Sequence, residues 1–138
     1  MQIVVFQLGG EKYGLDTLQV QGINKMVDVT AVPCASLSVK GLINLRGNII
    51  SVIDPYIMLG INSSEGIIEK ENIIIIETEE EVLGIIVDKV IEVINIDSQI
   101  VKSISGSKEE ENRYIKGTIN MEDYLVTLID AEVLLSTK

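Results

Sequence analysis

The sequence predicts an all-β fold assembled from two copies of one small unit. Three observations carry that reading. Short runs of β-branched and aliphatic residues recur between turn signals, at a spacing that suits small barrels or a sandwich. Helix signals are confined to two short stretches. The later part of the chain repeats the earlier part. At 138 residues the chain has the size of one domain, and 46% apolar residues suffice for a core without disulfides. Aromatics make up only 4%, so Ile, Val and Leu must do the packing.

Local chemistry justifies each element in turn. Ile3–Leu8 is β-branched and apolar, Gly9-Gly10 is a turn signal, and Tyr13–Leu15 resumes the strand pattern, so the chain opens with a hairpin. Val20–Val27 reads as a mixed strand. Val32-Pro33-Cys34-Ala35 reads as a loop, because proline lacks the ladder donor. Gly41–Leu45 and Ile49–Ile53 flank a second tight turn, Arg46-Gly47-Asn48. Asp54 before Pro55 offers a cap and a proline suited to the first helical position, which predicts a short helix near 55–59 ended by Gly60. Ile73–Glu77 and Val82–Val87 flank a glutamate-rich turn. Val90–Ile94 follows, then Thr118–Met121 and Leu125–Ile129 around Glu122-Asp123. A last short helix is expected near 131–136, with acids at the positive end of its dipole.

The repeat is specific. Val39–Leu59 aligns without gaps on Ile115–Leu135, and Lys40, Gly41, Ile43, Asn44, Ile53, Asp54 and Leu59 match Lys116, Gly117, Ile119, Asn120, Ile129, Asp130 and Leu135. A weaker echo aligns Val5–Ile23 with Ile75–Val93, pairing Gly14 with Gly84 and Val20 with Val90. Two copies of one β unit, each ending strand–turn–strand–helix, account for the chain.

Composition excludes several function classes. The chain has no His, so the commonest general base and zinc ligand are missing, and no GxxxxGK[ST] phosphate loop is present. No catalytic, metal or cofactor site is expected. Glu79-Glu80-Glu81 and Glu109-Glu110-Glu111 read as solvated turns, since neighbouring carboxylates in a strand point apart and in a loop repel. A net charge of −10 and a single Phe argue against nucleic acid, whose binding needs a basic groove and stacking aromatics. The start of the chain lacks a basic signal-peptide region, and no apolar run reaches the roughly 20 residues of a membrane span. One cysteine, Cys34, reads as a small buried hydrophobe in a reducing compartment. A cytoplasmic protein without membrane insertion is the expectation.

The repeated segment also carries a family resemblance. Lys40-Gly41-Leu42-Ile43-Asn44-Leu45-Arg46-Gly47-Asn48-Ile49-Ile50-Ser51-Val52-Ile53-Asp54 resembles the signature of the CheW-like domain, and Val82–Val90 resembles its second signature. Gly9–Val20 and Tyr114–Leu135 also fit, so the resemblance covers nearly the whole chain. It implies two small five-stranded β-barrels about a pseudo-two-fold axis, intertwined within one domain spanning 1–138 and changing over near 61–72. It implies a non-catalytic adaptor that couples the cytoplasmic tips of chemoreceptors to the regulatory domain of the histidine kinase CheA, at membrane-associated receptor arrays. The family also occurs in CheV, beside a receiver domain, and within the kinase. Met1 immediately before the first strand and Lys138 just after the last helix favour the free-standing adaptor. An adaptor for another CheW-type pathway, such as surface motility or development, is the alternative, with an excised CheV or kinase domain behind it.

The resemblance also implies site residues. The family's receptor groove lies between the barrels, and matching positions put Val4, Thr17, Val20, Ile23 and Val90 there. The repeat gives a separate reason, because Val20 and Val90 are equivalent and a pseudo-two-fold axis could bring them to one seam. The family's kinase contact falls on the first barrel, here Thr30, Ala31, Val32 and Pro33 with Gly41, Arg46, Gly47 and Asn48; the tight turn and proline step leave a flat, weakly charged edge. Gly41 has a competing backbone role, since Gly117 shares its position. The chain departs from the family pattern at five places. Gly22 stands where relatives often have a Glu paired with the arginine at 46, so Arg46 needs another carboxylate or lies in solvent. Thr17, Ala31 and Tyr56 replace residues more usual there, and Val101 stands at the position of an Arg used in ring building.

Overall fold

A computed structural model describes residues 1–31, 39–61, 70–79, 81–103 and 114–136. The Val32–Ala35 loop, Cys34 and the 109–111 glutamates lie outside these residues. Eleven strands and two short helices occur among the described residues: β1 (Gln2–Leu8), β2 (Glu11–Asp16), β3 (Val20–Lys25), β4 (Val39–Leu45), β5 (Asn48–Ile53), α1 (Pro55–Leu59), β6 (Asn72–Glu77), β7 (Val82–Val87), β8 (Lys89–Asn95), β9 (Lys102–Ser103), β10 (Ile115–Asn120), β11 (Leu125–Ile129) and α2 (Ala131–Ser136). Single 3-10 turns precede β3 and β9.

Turns and caps form as their residues dictate. Gly9 and Gly10 close the β1–β2 hairpin at φ 60° and 86°. The β4–β5 turn is a two-residue loop of Arg46 and Gly47, at φ 54° and 85°, with Asn48 already paired to Leu45. Two positive φ angles match the right-handed twist of the flanking strands. Asp54 accepts from the Tyr56 N–H at 3.0 Å and caps α1, and Gly60 ends it in the left-handed region at φ 65°. Asp130 caps α2 in the same way, accepting from Glu132 N–H at 3.1 Å.

The strands form two sheets, in the orders β8-β1-β2-β11-β10-β9 and β3-β6-β7-β5-β4. Superposing the repeat sends β1, β2, β3, β4 and β5 onto β6, β7, β8, β10 and β11. Applied to the second sheet, that operation reproduces the first five strands of the other. Each repeat's opening hairpin therefore joins the last three strands of the opposite repeat. Four junctions make this exchange: β2 with β11 and β5 with β7 are parallel, while β1 with β8 and β3 with β6 are antiparallel, as is every pair within a repeat. The sequence expectation of five strands per unit differs only by β9, two residues long. Its counterpart in the other unit is a single bridge between Thr30 and Leu42. Among the described residues neither ladder closes into a ring of hydrogen bonds.

Burial follows this exchange. β1 and β6 are buried on both faces, which explains their unbroken apolar runs. Ile3 and Val5 face one outer core with Ile119, Val126 and Leu128. Ile73 and Ile75 face the other with Ile43, Ile50 and Val52. The alternate residues, Val4 and Phe6 on β1 and Ile74 and Ile76 on β6, meet in a central core between the sheets. α1 and α2 close that core through Met58, Leu59, Ala131 and Leu134.

The irregularities repeat as well. Lys40 is skipped in the β4–β5 register and Lys116 in the β10–β11 register, giving matched bulges. The glycine after each bulge lies against a neighbouring carbonyl. A Cβ on Gly117 would sit 2.6 Å from the Lys102 oxygen, and one on Gly41 would overlap the Thr30 oxygen. Gly41 is thus required by backbone approach. Gly41→Ala and Gly117→Ala should each destabilise the fold by about 1–3 kcal/mol, the usual cost of forcing atoms into packed space. Urea titration of the two variants checks this, and matching losses are expected.

Candidate partner-binding surfaces

Buried ionisable groups are where chemistry concentrates, because perturbed groups mark functional sites. Asp88, at the corner between β7 and β8, is 3% exposed. Its carboxylate accepts from Lys70 Nζ at 2.6 Å, from the Tyr56 hydroxyl at 2.6 Å and from Gly9 N–H at 2.8 Å. Gly9 N–H also donates to the Tyr56 hydroxyl at 2.7 Å, and Lys70 Nζ lies 3.6 Å from the Tyr56 ring centre. Every group is already occupied, so this is a clasp that joins the β1–β2 turn, α1, the lead-in to β6 and the β7–β8 corner. Tyr56, a departure from the family pattern, is buried here as part of it. Among the described residues no cluster of His, Cys, Asp or Glu could hold a metal ion.

The clasp leaves an electrostatic signature. Burial pushes the Tyr56 phenol above its ordinary range, and the hydrogen bond to Asp88 pushes the same way. Burial pulls Lys70 down, but its hydrogen bond to Asp88 and the charge there outweigh that, and its net shift is upward. Both groups hold their protons more tightly in the folded protein. Their stabilisation is therefore complete below the unfolded values, about 10 for each, and is lost as pH climbs through the folded values.

Two other regions offer surface rather than chemistry. The first is the seam between the sheets. β3 and β8 are the edge strands flanking the central core, and each carries a bulge, at Gln21 and Ile91, in its pairing with β6 and β1. The bulge puts residues three apart on one face. Val20 pairs with Ile76 and Ile23 with Ile74; Val90 pairs with Phe6 and Val93 with Val4. All four partners belong to the central core. Val20 and Val90 pack half-buried against it, while Ile23 and Val93 stand 39% and 47% exposed at its margin. Val4 is 1% exposed and belongs to the core beneath, so it presents no side chain at the surface. Thr17 is half-buried on the 3-10 turn before β3, where its hydroxyl donates to Gln2 Oε1 at 3.2 Å.

Sequence reasoning missed two residues of this seam. Val93 is the repeat partner of Ile23, and extending the Val20–Val90 correspondence by three residues reaches it. Leu18, next to Thr17, is 90% exposed. It borders a hollow of about 380 Å³ with Val20, Glu77, Glu79 and Glu132. No sequence pattern distinguishes Leu18 from a core leucine.

The second region is the edge of β4. Thr30 and Ala31 are exposed, and Thr30 pairs with Leu42. Gly41 is buried beneath them. Arg46, Gly47 and Asn48 are exposed at the strand's tip, about 13 Å further along by strand rise. Val32 and Pro33 lie outside the described residues. Arg46 forms no ion pair among the described residues. Ile49, beside this tip, is 65% exposed. Val101 packs half-buried against an outer core.

Comparison with known proteins settles the lineage of this arrangement. The model of the CheW-like domain matches residues 2–138. The chain belongs to the CheW-like family. It is 34% identical to the chemotaxis protein CheW of Treponema pallidum, covering 99% of this chain and 83% of that one. It is 32% identical to that of Bacillus subtilis, covering 97% and 86%. The crystal structure of the scaffolding protein TtCheW from Thermoanaerobacter tengcongensis superposes with a TM-score of 0.83 at 35% identity, over 94% of this chain and 83% of that one. As a CheW-like protein the chain is a chemotaxis adaptor, not an enzyme. No helix among the described residues is long and apolar enough to cross a membrane.

Removing the clasp should cost stability without touching either surface. Asp88→Ala leaves Lys70 and the Tyr56 hydroxyl without their acceptor, and should destabilise by about 3 kcal/mol at neutral pH. That is the lower end for a broken buried pair, because Lys70 keeps 29% exposure. Urea titrations across pH should show wild-type stability falling above about pH 10, with a shallower alkaline fall in the variant.

Proposed function

We propose that this CheW-like adaptor binds a chemoreceptor tip along the seam between its two units and the regulatory domain of the kinase CheA at the β4 edge. The observation that carries the receptor half is the matched pair of half-exposed apolar edges on β3 and β8. A helix laid into a groove needs uncharged anchors on both sides, spaced to meet its apolar face. Val20 and Ile23 supply one side, Val90 and Val93 the other, and the central core forms the floor. The symmetry supports a single groove, since the same bulge aims both edges at the same face.

The kinase half rests on a different surface. Arg46, Gly47, Asn48 and Ile49 form an exposed tip on the first unit, held in place by a two-residue turn that leaves little freedom. Thr30 and Ala31 flank the same strand. The tip and the seam present different residues and adjoin at β3, where Ile23 and Arg46 border one hollow. The protein works in the cytoplasm, drawn to membrane-associated receptor arrays by the receptors it binds. Residues 1–138 act as one intertwined domain, with the change-over between its halves falling after α1 and before β6.

The experiment is a pair of binding titrations beside a thermal melt. Val93→Asp should reduce affinity for a soluble receptor-tip fragment at least tenfold while leaving the melt and kinase binding nearly unchanged. Gly47→Asp should weaken kinase binding and spare the receptor. Val4→Asp is the contrast: a carboxylate in the core should unfold the domain and remove all signals together. Receptor binding that survives Val93→Asp intact would remove the seam from the account.

A further inference from the structure

Arg46 differs in its surroundings from the other cations whose contacts are described. Lys70 is clasped by Asp88, and Lys12 lies 4.8 Å from the Tyr124 ring centre. Arg46 has no such partner among the described residues, in a chain of net charge −10. It borders a hollow of about 340 Å³ between β3 and the β4–β5 turn. Among the described residues that line it, Arg46 is the one charged side chain. Gln21, Asn24 and Asn48 contribute neutral amides, each with N–H groups that can turn toward an anion. The floor is apolar, formed by Ile50 and Ile75, which are 7% and 1% exposed.

Gly22 is what opens the hollow. A Cβ at this position would meet only Asn24 Nδ2, at 3.7 Å, so a side chain has room that the sequence leaves empty. One guanidinium, three amides and a low-dielectric floor make a donor set suited to one carboxylate. The planar fork of arginine takes a carboxylate through two parallel hydrogen bonds, and a nearby apolar floor strengthens that attraction. A phosphate, with a larger charge, would find a single cation.

We infer that this hollow receives one glutamate or aspartate side chain from the protein that docks at the β4–β5 tip. The inference rests on the reading of that tip as the kinase-facing surface and adds the chemistry of the contact. The local charge selects such a partner: among the described residues no acidic residue lines the hollow, and Arg46 is the one charged side chain at its rim, so an incoming carboxylate meets attraction without a competing acid. Gly22 makes the site available by leaving the place beside Arg46 unfilled from within the chain.

The test uses the full chain, followed by NMR at the side-chain amides of Gln21, Asn24 and Asn48 and at Arg46 Nε. The probe is N-acetyl-glutamate N-methylamide, with the glutamine analogue and inorganic phosphate as controls. Saturable shifts are expected with the glutamate probe, at least tenfold weaker with both controls. They should vanish in Arg46→Gln and in Gly22→Glu, whose own carboxylate would occupy the hollow. Equal response to the glutamine probe, a stronger response to phosphate, or a glutamate response that survives Arg46→Gln would overturn the inference. A parallel titration with the kinase regulatory domain separates the two readings. Shifts as expected beside a kinase affinity unmoved by Gly22→Glu would keep the carboxylate site and remove the kinase as its occupant.

Discussion

The exchange of opening hairpins is the constraint on which the molecule depends. β1–β2 completes the sheet of the second repeat, and β6–β7 completes that of the first. Because the first strand of each hairpin is then covered on both faces, its middle must be apolar at every position, and Ile3–Phe6 and Ile73–Ile76 are. Neither unit retains a full sheet if the other is removed. The central core is contributed by both repeats together, so the two halves are bound to fold as one cooperative body. The Asp88 clasp reinforces this where the turn of the first hairpin meets the open end of the second.

The same exchange creates the surfaces. Once β1 and β6 occupy the middle, β3 and β8 are left as edges beside the shared core. Edge strands are exposed backbone that proteins usually blunt, and bulges are one device for doing so. Here the bulges at Gln21 and Ile91 also turn two apolar residues of each edge toward the seam. The β4–β5 tip arises differently. Its conformation is fixed by a two-residue turn that holds a non-glycine residue, Arg46, at positive φ. An adaptor without chemistry of its own needs little more than this: chemically distinct surfaces on one cooperative body.

Much of this was legible in the sequence because it is local. The Gly9-Gly10 and Arg46-Gly47 turns, the Asp54-Pro55 helix start and the Gly60 stop each follow from one or two residues. The repeat was legible because the KG-IN-ID spacing survives in both copies. What it could not supply was the partner of each hairpin. An apolar strand buried on both faces reads the same whichever sheet receives it, so the exchange came from family resemblance and not from pattern. Val4 shows the related limit: alignment put it at the groove, but its pairing beside Val93 places it in the layer below. Val93 was within reach of the repeat and Leu18 was not, since exposure of a leucine depends on packing that no periodicity encodes. β9 is two residues long, too short for any alternation to register.

Receptor docking on the seam between the units, and not on either outer face, is open to a direct check. Methyl NMR of the Ile- and Val-labelled protein, titrated with a soluble receptor-tip fragment, tests this most directly. With the receptor on the seam, the methyls of Val20, Ile23, Val90 and Val93 shift together from the first additions, while Ile43 and Ile119 in the outer cores stay still. Shifts centred on Ile49 at the β4–β5 tip, with the four seam residues silent, would contradict it.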